Sequence, residues 1–154
     1  ILYLLKDTHK IYYLKLLERF KKNKNFDSER VIFLDPLNLN QFINHLGTSS
    51  VLLDPIYFGS GNSFHESMFY GTQTVTCPTK YIKSRIVSAA YIQMEVKKPP
   101  IVKNKDDYVN KAIEIANDEN ILDEKKYYQQ AANEKLFNTK DVGEKFNSIL
   151  KKLF

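Results

Sequence analysis

The stretch LDPIYFGSGNSFHE, residues 53–66, decides the fold of this chain. An apolar run ends at Asp54, and the glycine loop that follows (residues 54–61) contains Gly59 and Gly61 ahead of a helix-like segment. A strand that leads through such a loop to a helix N-terminus presents backbone N–H groups that can bind a phosphate. Glu66 comes about one helical turn later, within reach of a sugar hydroxyl. The stretch therefore predicts a nucleoside diphosphate ligand.

Around this stretch, continuous apolar segments alternate with segments of helical periodicity. The predicted strands cover residues 1–5, 31–34, 50–53, 74–76 and 101–102. The predicted helices cover residues 11–22, 39–46, 63–70, 82–94, 108–117, 123–132 and 139–153, and Gly47 and Gly71 are expected to end the second and third of them. This order is typical of a parallel α/β sheet with helices on both faces, which binds ligands beyond the carboxyl ends of its strands. We expect one domain over residues 1–154, with a sheet part (1–104) and C-terminal helices (105–154).

Composition limits the classes of partner. The net charge is +5, but lysines are mixed with acidic residues along the chain, so we expect no nucleic-acid partner. The single cysteine, Cys77, excludes an internal disulfide and fits a reducing, cytoplasmic location with a buried structural thiol. No apolar run is long enough to span a membrane, and no metal-ligand spacing is present. Because the chain opens on a strand-like run without an initiator Met, we expect it to be a piece of a longer protein.

The residues around the glycine loop allow more than one role. Gly59 and Gly61 permit positive φ and close approach of a ligand. Residues 63–66 also fit a capping box, so capping and ligand binding stay equally open for Glu66, whereas capping is favoured for Asn62 and Ser63.

Two basic residues near the loop have an open role as well. His65 is either a general base or, as we favour, an ordinary residue on the surface of its helix. Arg85 either braces a loop carboxylate such as Asp54, the favoured interpretation, or contacts the ligand. These patterns assign no catalytic residue.

The ordered set of motifs resembles one enzyme family: the C-terminal catalytic half of the O-linked N-acetylglucosamine transferase (SPINDLY-like) proteins and the related bacterial adhesin N-glycosyltransferases. The matching segments are residues 51–55, 59–63, 66, 71–72, 75–78, 84–85 and 136–140. The resemblance covers the chain from about Arg30 to its end, and the opening strand and helix are compatible with it.

The resemblance implies a GT-B glycosyltransferase, in which this Rossmann-like half holds the UDP-sugar donor without a metal or other cofactor. Carried over by position, the loop from Gly59 through Gly61, Asn62 and Ser63 meets the diphosphate, and Glu66 holds the ribose. The segment from Leu37 to Phe42 lines the uracil side. The sugar, N-acetylglucosamine or a hexose, goes to a protein Ser/Thr hydroxyl or Asn amide through parts of the enzyme that this chain lacks.

One departure from the family pattern bears on the donor. Leu39 and Phe42 stand where the O-GlcNAc transferases have Lys and His. This difference leaves open a resemblance to the bacterial adhesin N-glycosyltransferases instead. We expect the isolated chain to bind the donor with little or no transfer. The alternatives are a noncatalytic interaction module with a degenerate nucleotide site, and a GT-B enzyme that acts on a lipid or a small sugar.

Overall fold

The computed structural model describes residues 1–6 and 8–153, with the backbone alone at residue 141. The chain divides into two compact units, Ile1–Phe42 and Ile43–Phe154, and each unit is described by itself. The single domain expected from the sequence, with its division after residue 104, stays a prediction. Among the described residues, no helix combines the length and the apolar character that crossing a membrane requires.

The first unit contains two parallel strands and one complete helix. Strands β1 (Leu2–Leu5) and β2 (Val31–Leu34) pair in parallel, and helix α1 covers Lys10–Lys21. The ring of Tyr13 in α1 meets Phe33 of β2 edge-on, with 4.9 Å between the ring centroids. The strands were predicted as buried, but in β1 exposed and half-buried side chains alternate. Successive side chains of a strand point to opposite faces, so only one face of β1 is covered.

The second unit contains a short parallel pair with a single further bridge. Strand β3 (Leu52–Leu53) pairs with β4 (Thr74–Val75), and Thr76 just beyond β4 bridges to Ile101. The predicted last strand is reduced to this bridge. Thr76 donates its N–H to the carbonyl of Pro100, but a proline has no N–H of its own to extend the pairing.

The full Rossmann-like sheet expected from the alternation is not shown among the described residues. The strands of the described residues pair in two two-stranded parallel sheets, one in each unit. The molecule is therefore a mixed α/β structure, mostly helical, with small parallel sheets.

The helices lie close to where the sequence predicts them. They are α2 (Leu39–Thr48), α3 (Asn62–Met68), α4 (Ile86–Met94), α5 (Lys105–Ala116), α6 (Ile121–Ala131) and α7 (Lys140–Leu153), with 3₁₀ turns at Ser28–Arg30 and Ile82–Ser84 and a π-helical turn at Ala132–Leu136 after α6. The helix predicted over residues 82–94 is thus divided at Arg85. Gly47 lies inside α2 rather than ending it. A Cβ at this position would approach the Tyr70 ring to 2.8 Å, so close packing against that ring requires glycine.

The core of the second unit lies between α3, α4 and α6. Phe64, Tyr91 and Tyr128 are buried and meet edge-to-face, with centroid distances of 5.2 Å and 5.8 Å along the series. The Tyr91 hydroxyl accepts the N–H of Thr74 at 2.7 Å and donates to its carbonyl at 3.1 Å, which satisfies the backbone of β4 as a third strand would. Burial raises the pKa of Tyr91, so this hydroxyl keeps its proton.

The turn after α3 is fixed by Gly71. Its φ of 66° lies in the left-handed region, and a Cβ would overlap the carbonyl oxygen of Lys125. Only glycine fits there. The Lys125 ammonium donates to the carbonyls of Gly47 and Ser49 at 2.6 Å and 2.7 Å, and burial lowers its pKa.

Candidate functional site

A buried carboxylate supports the glycine loop from below. Asp54 directly follows β3 and is 2 % exposed. Its Oδ1 accepts the N–H of Ser60 at 2.6 Å, and its Oδ2 accepts the hydroxyl of Thr76 at 2.6 Å. Charge-assisted bonds of this length are among the stronger hydrogen bonds, and a buried charge needs them. They tie the loop to the ends of two neighbouring strands, and we call Asp54 and these two partners the floor of the loop.

Gly59 lies against the floor for a steric reason. Its N–H donates to the carbonyl of Lys83 at 2.8 Å. A Cβ at this position would lie 3.1 Å from that carbonyl oxygen and 3.2 Å from Oδ1 of Asp54. The positive φ that the sequence permitted is not used at Gly59 or Gly61, since Gly71 is the glycine with positive φ in the described part of the chain. Close packing is what requires Gly59.

A tyrosine from α5 reaches the same floor. The Tyr108 hydroxyl donates to the backbone carbonyl of Asp54 at 2.9 Å. Burial raises the pKa of Tyr108, and the nearby Asp54 charge raises it further, so the hydroxyl remains a donor throughout the neutral range. The end of β3 is therefore held by its own loop, by Thr76 and by α5.

The start of α3 forms the upper side of the loop. The helix begins at Asn62, and Gly61 is the N-cap with φ −103° and ψ −89°. The sequence predicted Asn62 or Ser63 as the cap, and this is wrong: no side chain caps the helix. The N–H groups of Gly61, Asn62 and Ser63 receive no hydrogen bond partner from the part of the chain that the structure describes.

The side chains of Asn62, Ser63 and Glu66 are also without hydrogen-bond partners among the described residues. We call Gly61, Asn62, Ser63 and Glu66 the rim of the loop. Asn62 is exposed, and Ser63 and Glu66 are half-buried. Across residues 1–6 and 8–153, the Glu66 carboxylate forms no hydrogen bond or ion pair, so the capping box open to Ser63 and Glu66 is not formed. The capping explanation for Glu66 is therefore excluded.

The two basic residues near the loop face a groove. Nδ1 of His65 lies 3.0 Å from the carbonyl oxygen of Gly61, a hydrogen bond in which the ring N–H donates. Arg85 is exposed and, within the described chain, makes no ion pair with Asp54. The favoured brace between Arg85 and Asp54 is not formed, since Asp54 is buried and Arg85 is exposed; the alternative, a contact of Arg85 with the ligand, stays a prediction. His65 and Arg85 instead line one open groove.

The two residues expected on the uracil side belong to the first unit. Leu37 and Phe42 are half-buried and lie before and within the first turn of α2. That turn has a closed cap that the sequence analysis missed. The Gln41 N–H donates to Oδ1 of Asn38, and the Asn38 N–H donates to Oε1 of Gln41, both at 3.0 Å. The spacing Asn-x-x-Gln is the sequence signal that would have found it.

Two further residues of the site were not singled out from the sequence. Thr76 is the last residue of a predicted strand beside the loop. Because ligands of parallel α/β sheets lie beyond the strand ends, this position could have identified Thr76 as a candidate site residue. Tyr108 carried no signal, because it is 54 residues from Asp54 in the sequence. Cys77 is buried, as expected for a structural thiol. Among the described residues, no group of three His, Cys, Asp or Glu side chains is placed to hold a metal ion.

Comparison with known proteins gives one line of evidence. No protein-family model matches this chain, and no curated protein matches its sequence. Its structure is similar to that of a mutant of the Thermobaculum terrenum O-GlcNAc transferase, with a TM-score of 0.74 and 13 % sequence identity over 86 % of this chain. The match covers 26 % of the transferase chain, so this chain spans about a quarter of its length. The likeness shows an O-GlcNAc-transferase-like, and so glycosyltransferase-like, fold.

Proposed function

We propose that this chain is the UDP-sugar-binding part of a glycosyltransferase that modifies proteins. The fold supports the reaction class. The ordered sequence motifs support the finer assignment to the SPINDLY-like transferases or the bacterial adhesin N-glycosyltransferases. The observation that carries the proposal is the contrast within the glycine loop: its floor is fully hydrogen-bonded, whereas the N–H groups and side chains of its rim are unsatisfied by the described chain.

The diphosphate is the first ligand group that the rim suits. The N–H groups of Gly61, Asn62 and Ser63 follow one another at the start of α3, where the helix dipole favours a negative charge. Bonds from neutral N–H groups to a charged phosphate oxygen are about twice as strong as neutral ones. The open space at Gly61, where a Cβ would have no neighbour within 4 Å, admits a ligand close to the backbone.

The ribose is the second group. The Glu66 carboxylate is half-buried beside the rim and has acceptor oxygens for two vicinal hydroxyls. Without a hydrogen-bond donor, the Glu66 carboxylate would only repel the negatively charged diphosphate. Hydrogen bonds from the ribose hydroxyls compensate for this repulsion and stabilise the bound donor. The assignment of Leu37 and Phe42 to the uracil side stays a prediction that rests on the sequence resemblance alone.

The transfer step divides between this chain and the rest of the enzyme. When the anomeric carbon–oxygen bond breaks, the departing UDP gains negative charge, and the rim N–H groups stabilise it without a metal. The new bond forms to a protein Ser or Thr hydroxyl or Asn amide, and the donor sugar is N-acetylglucosamine or a hexose. No residue here is assigned to remove the acceptor's proton, so the isolated chain binds the donor without appreciable transfer.

Thermal unfolding in the presence of UDP tests the proposal. UDP at one hundred times its Kd adds about 2.7 kcal/mol to the free energy of unfolding, and EDTA leaves the effect unchanged. Glu66→Gln is expected to lose most of the response to UDP while its melting temperature without ligand stays that of the unsubstituted chain. Glu119→Gln, an exposed carboxylate after α5, is the matched control and keeps the full response.

Two results would contradict the proposal. One is the absence of any UDP-dependent shift at millimolar concentration. The other is a Glu66→Gln variant that binds UDP as the unsubstituted chain does. A fold that melts normally but ignores UDP and UDP-sugars would favour the noncatalytic interaction module.

A further inference from the structure

An open groove lies beside the glycine loop, along one face of α4 and the 3₁₀ turn before it. Its volume is about 520 Å³. The lining residues are His65, Ile82, Arg85, Ile86, Ala89, Ala90, Gln93 and Leu136. Ile86, Ala89, Ala90 and Gln93 belong to α4 and extend over about 10 Å at roughly 1.5 Å per residue, and Ile82 in the 3₁₀ turn and Arg85 at the N-cap continue the wall beyond the helix. The α4 part alone matches about three residues of extended peptide at roughly 3.3 Å each.

The groove shares its wall with the glycine loop at two points. The carbonyl of Lys83, one residue from Ile82, accepts the N–H of Gly59 at 2.8 Å. The ring of His65 is hydrogen-bonded to the carbonyl of Gly61, the N-cap of α3. A chain bound in the groove therefore lies next to a ligand bound at the rim.

The chemistry of the lining selects an acidic, partly apolar occupant. Most of the wall is aliphatic, and Ile82 is 87 % exposed at its edge. The charged side chain among the described lining residues is Arg85, whose guanidinium has no hydrogen bond or ion pair within the described chain. A guanidinium pairs with a carboxylate through two parallel hydrogen bonds.

The far end of the groove offers a backbone contact. The Gln93 amide donates its Nε2–H to the carbonyl of Lys135 at 3.1 Å. This bond fixes the side chain and leaves its carbonyl oxygen as an acceptor for a peptide N–H. Arg85, the N-cap of α4, and Gln93, near the C-terminal end of the same helix, thus lie at opposite ends of the groove.

We propose that this groove binds a peptide segment with one acidic side chain, Asp or Glu, flanked by aliphatic residues. The carboxylate pairs with Arg85, the aliphatic side chains pack on Ile86, Ala89 and Leu136, and Gln93 accepts a backbone N–H. This inference rests on the proposed function in one respect: the neighbouring donor site makes the bound peptide part of the acceptor protein.

Binding of two labelled peptides tests the charge preference. The first probe is a fluorescein-labelled heptapeptide with a central Glu between Val and Leu residues, and the second has Lys in place of that Glu. Fluorescence polarisation is expected to give at least tenfold tighter binding for the Glu peptide. Equal affinities, or no saturable binding of either peptide, would overturn the proposal.

Charge reversal assigns the preference to the groove. Arg85→Glu is expected to lose at least tenfold in affinity for the Glu peptide and to prefer the Lys peptide. Arg19→Glu makes the same charge change at an exposed position of α1 and is expected to bind like the unsubstituted chain. Far-UV circular dichroism confirms that each variant is folded. An equal loss in both variants would show a general charge effect and overturn the site.

UDP binding, measured on the same samples, separates this inference from the proposed function. Loss of peptide selectivity with an intact UDP response overturns the groove alone. Selective peptide binding without any UDP response overturns the donor site and leaves a peptide-binding groove. If vesicles of anionic phospholipid bind through Arg85 and the peptides do not, the occupant is a membrane surface and the peptide proposal is wrong.

Discussion

Helices α2 and α3 begin with the same sequence pattern but with different hydrogen bonds. At α2, Asn38 and Gln41 close a reciprocal capping box with two bonds of 3.0 Å. At α3, Ser63 and Glu66 have the same spacing, yet Gly61 is the N-cap and no side chain caps the helix. At α2 the capping box gives the Gln41 N–H an acceptor, whereas at α3 the N–H groups of Gly61, Asn62 and Ser63 have no hydrogen-bond partner among the described residues.

The two helices differ in their hydrogen bonds because they differ in which residue occupies the N-cap position. A capping side chain works only from the N-cap position, where the backbone is not helical. Asp54 holds the N–H of Ser60, and His65 binds the carbonyl of Gly61, so α3 starts at Asn62 and Ser63 falls inside it. Contacts from outside the helix thus override its local capping signal. The following variants test this comparison, from the largest expected effect on stability to the smallest.

Removing the floor carboxylate is expected to have the largest effect. Asp54→Ala leaves the Ser60 N–H and the Thr76 hydroxyl without their acceptor, at about 3 kcal/mol of unfolding free energy in urea titrations. Asp54→Asn keeps one acceptor oxygen and loses less. Glu66→Ala, which removes a carboxylate from the rim, changes stability by no more than about 0.5 kcal/mol. Comparable losses for Asp54→Ala and Glu66→Ala would contradict the division into floor and rim.

Removing the hydroxyl on the neighbouring strand end has the next largest effect. Thr76→Val keeps the shape of the side chain but deprives Oδ2 of Asp54 of its donor, so we expect a loss of about 2 kcal/mol. Thr48→Val, at an exposed hydroxyl that bonds within its own helix, is the control and loses about 0.5 kcal/mol or less. Differential scanning calorimetry measures both. A Thr76→Val variant as stable as the parent would show that the floor does not depend on this bond.

The two helix starts are then compared directly. Asn38→Ala opens the capping box of α2 and is expected to lower the unfolding free energy by about 1 kcal/mol. Ser63→Ala removes a hydroxyl that caps nothing and should change it by no more than about 0.5 kcal/mol. Circular dichroism in urea gives both values. The comparison fails if the Ser63 variant loses as much as the Asn38 variant.

The smallest effect on stability is expected at Gly61. An added Cβ meets no atom within 4 Å, and alanine is merely a poorer N-cap than glycine, so Gly61→Ala should lose no more than about 0.5 kcal/mol. The methyl group then occupies the space proposed for the diphosphate, and affinity for UDP falls at least tenfold in calorimetric titration. Gly143→Ala, equally open but in α7, is the control and leaves UDP binding unchanged. Unaltered UDP affinity in Gly61→Ala would place the diphosphate elsewhere.

The sequence predicted much of the secondary structure and less of its assembly. Periodicity and breakers predicted the order of strands and helices, although α3 ends at Met68 and Gly71 lies in the turn that follows it. A full Rossmann-like sheet is not shown, since the described strands pair in two small parallel sheets. The last predicted strand is reduced to one bridge because the prolines before Ile101 have no N–H to donate. The brace between Arg85 and Asp54 is not formed, since Asp54 is buried beneath the loop while the Arg85 side chain is exposed.

The sequence by itself determined that a glycine loop follows a short strand and leads into a helix, because turn residues and hydrophobic periodicity act over a few neighbouring positions. Only the tertiary structure decided where that helix begins and which of its polar groups remain unsatisfied. Those outcomes depend on Thr76, Lys83 and Tyr108, which lie 22 to 54 residues from their partners in the loop. Local patterns carry no information on such contacts, which form only when the chain has folded.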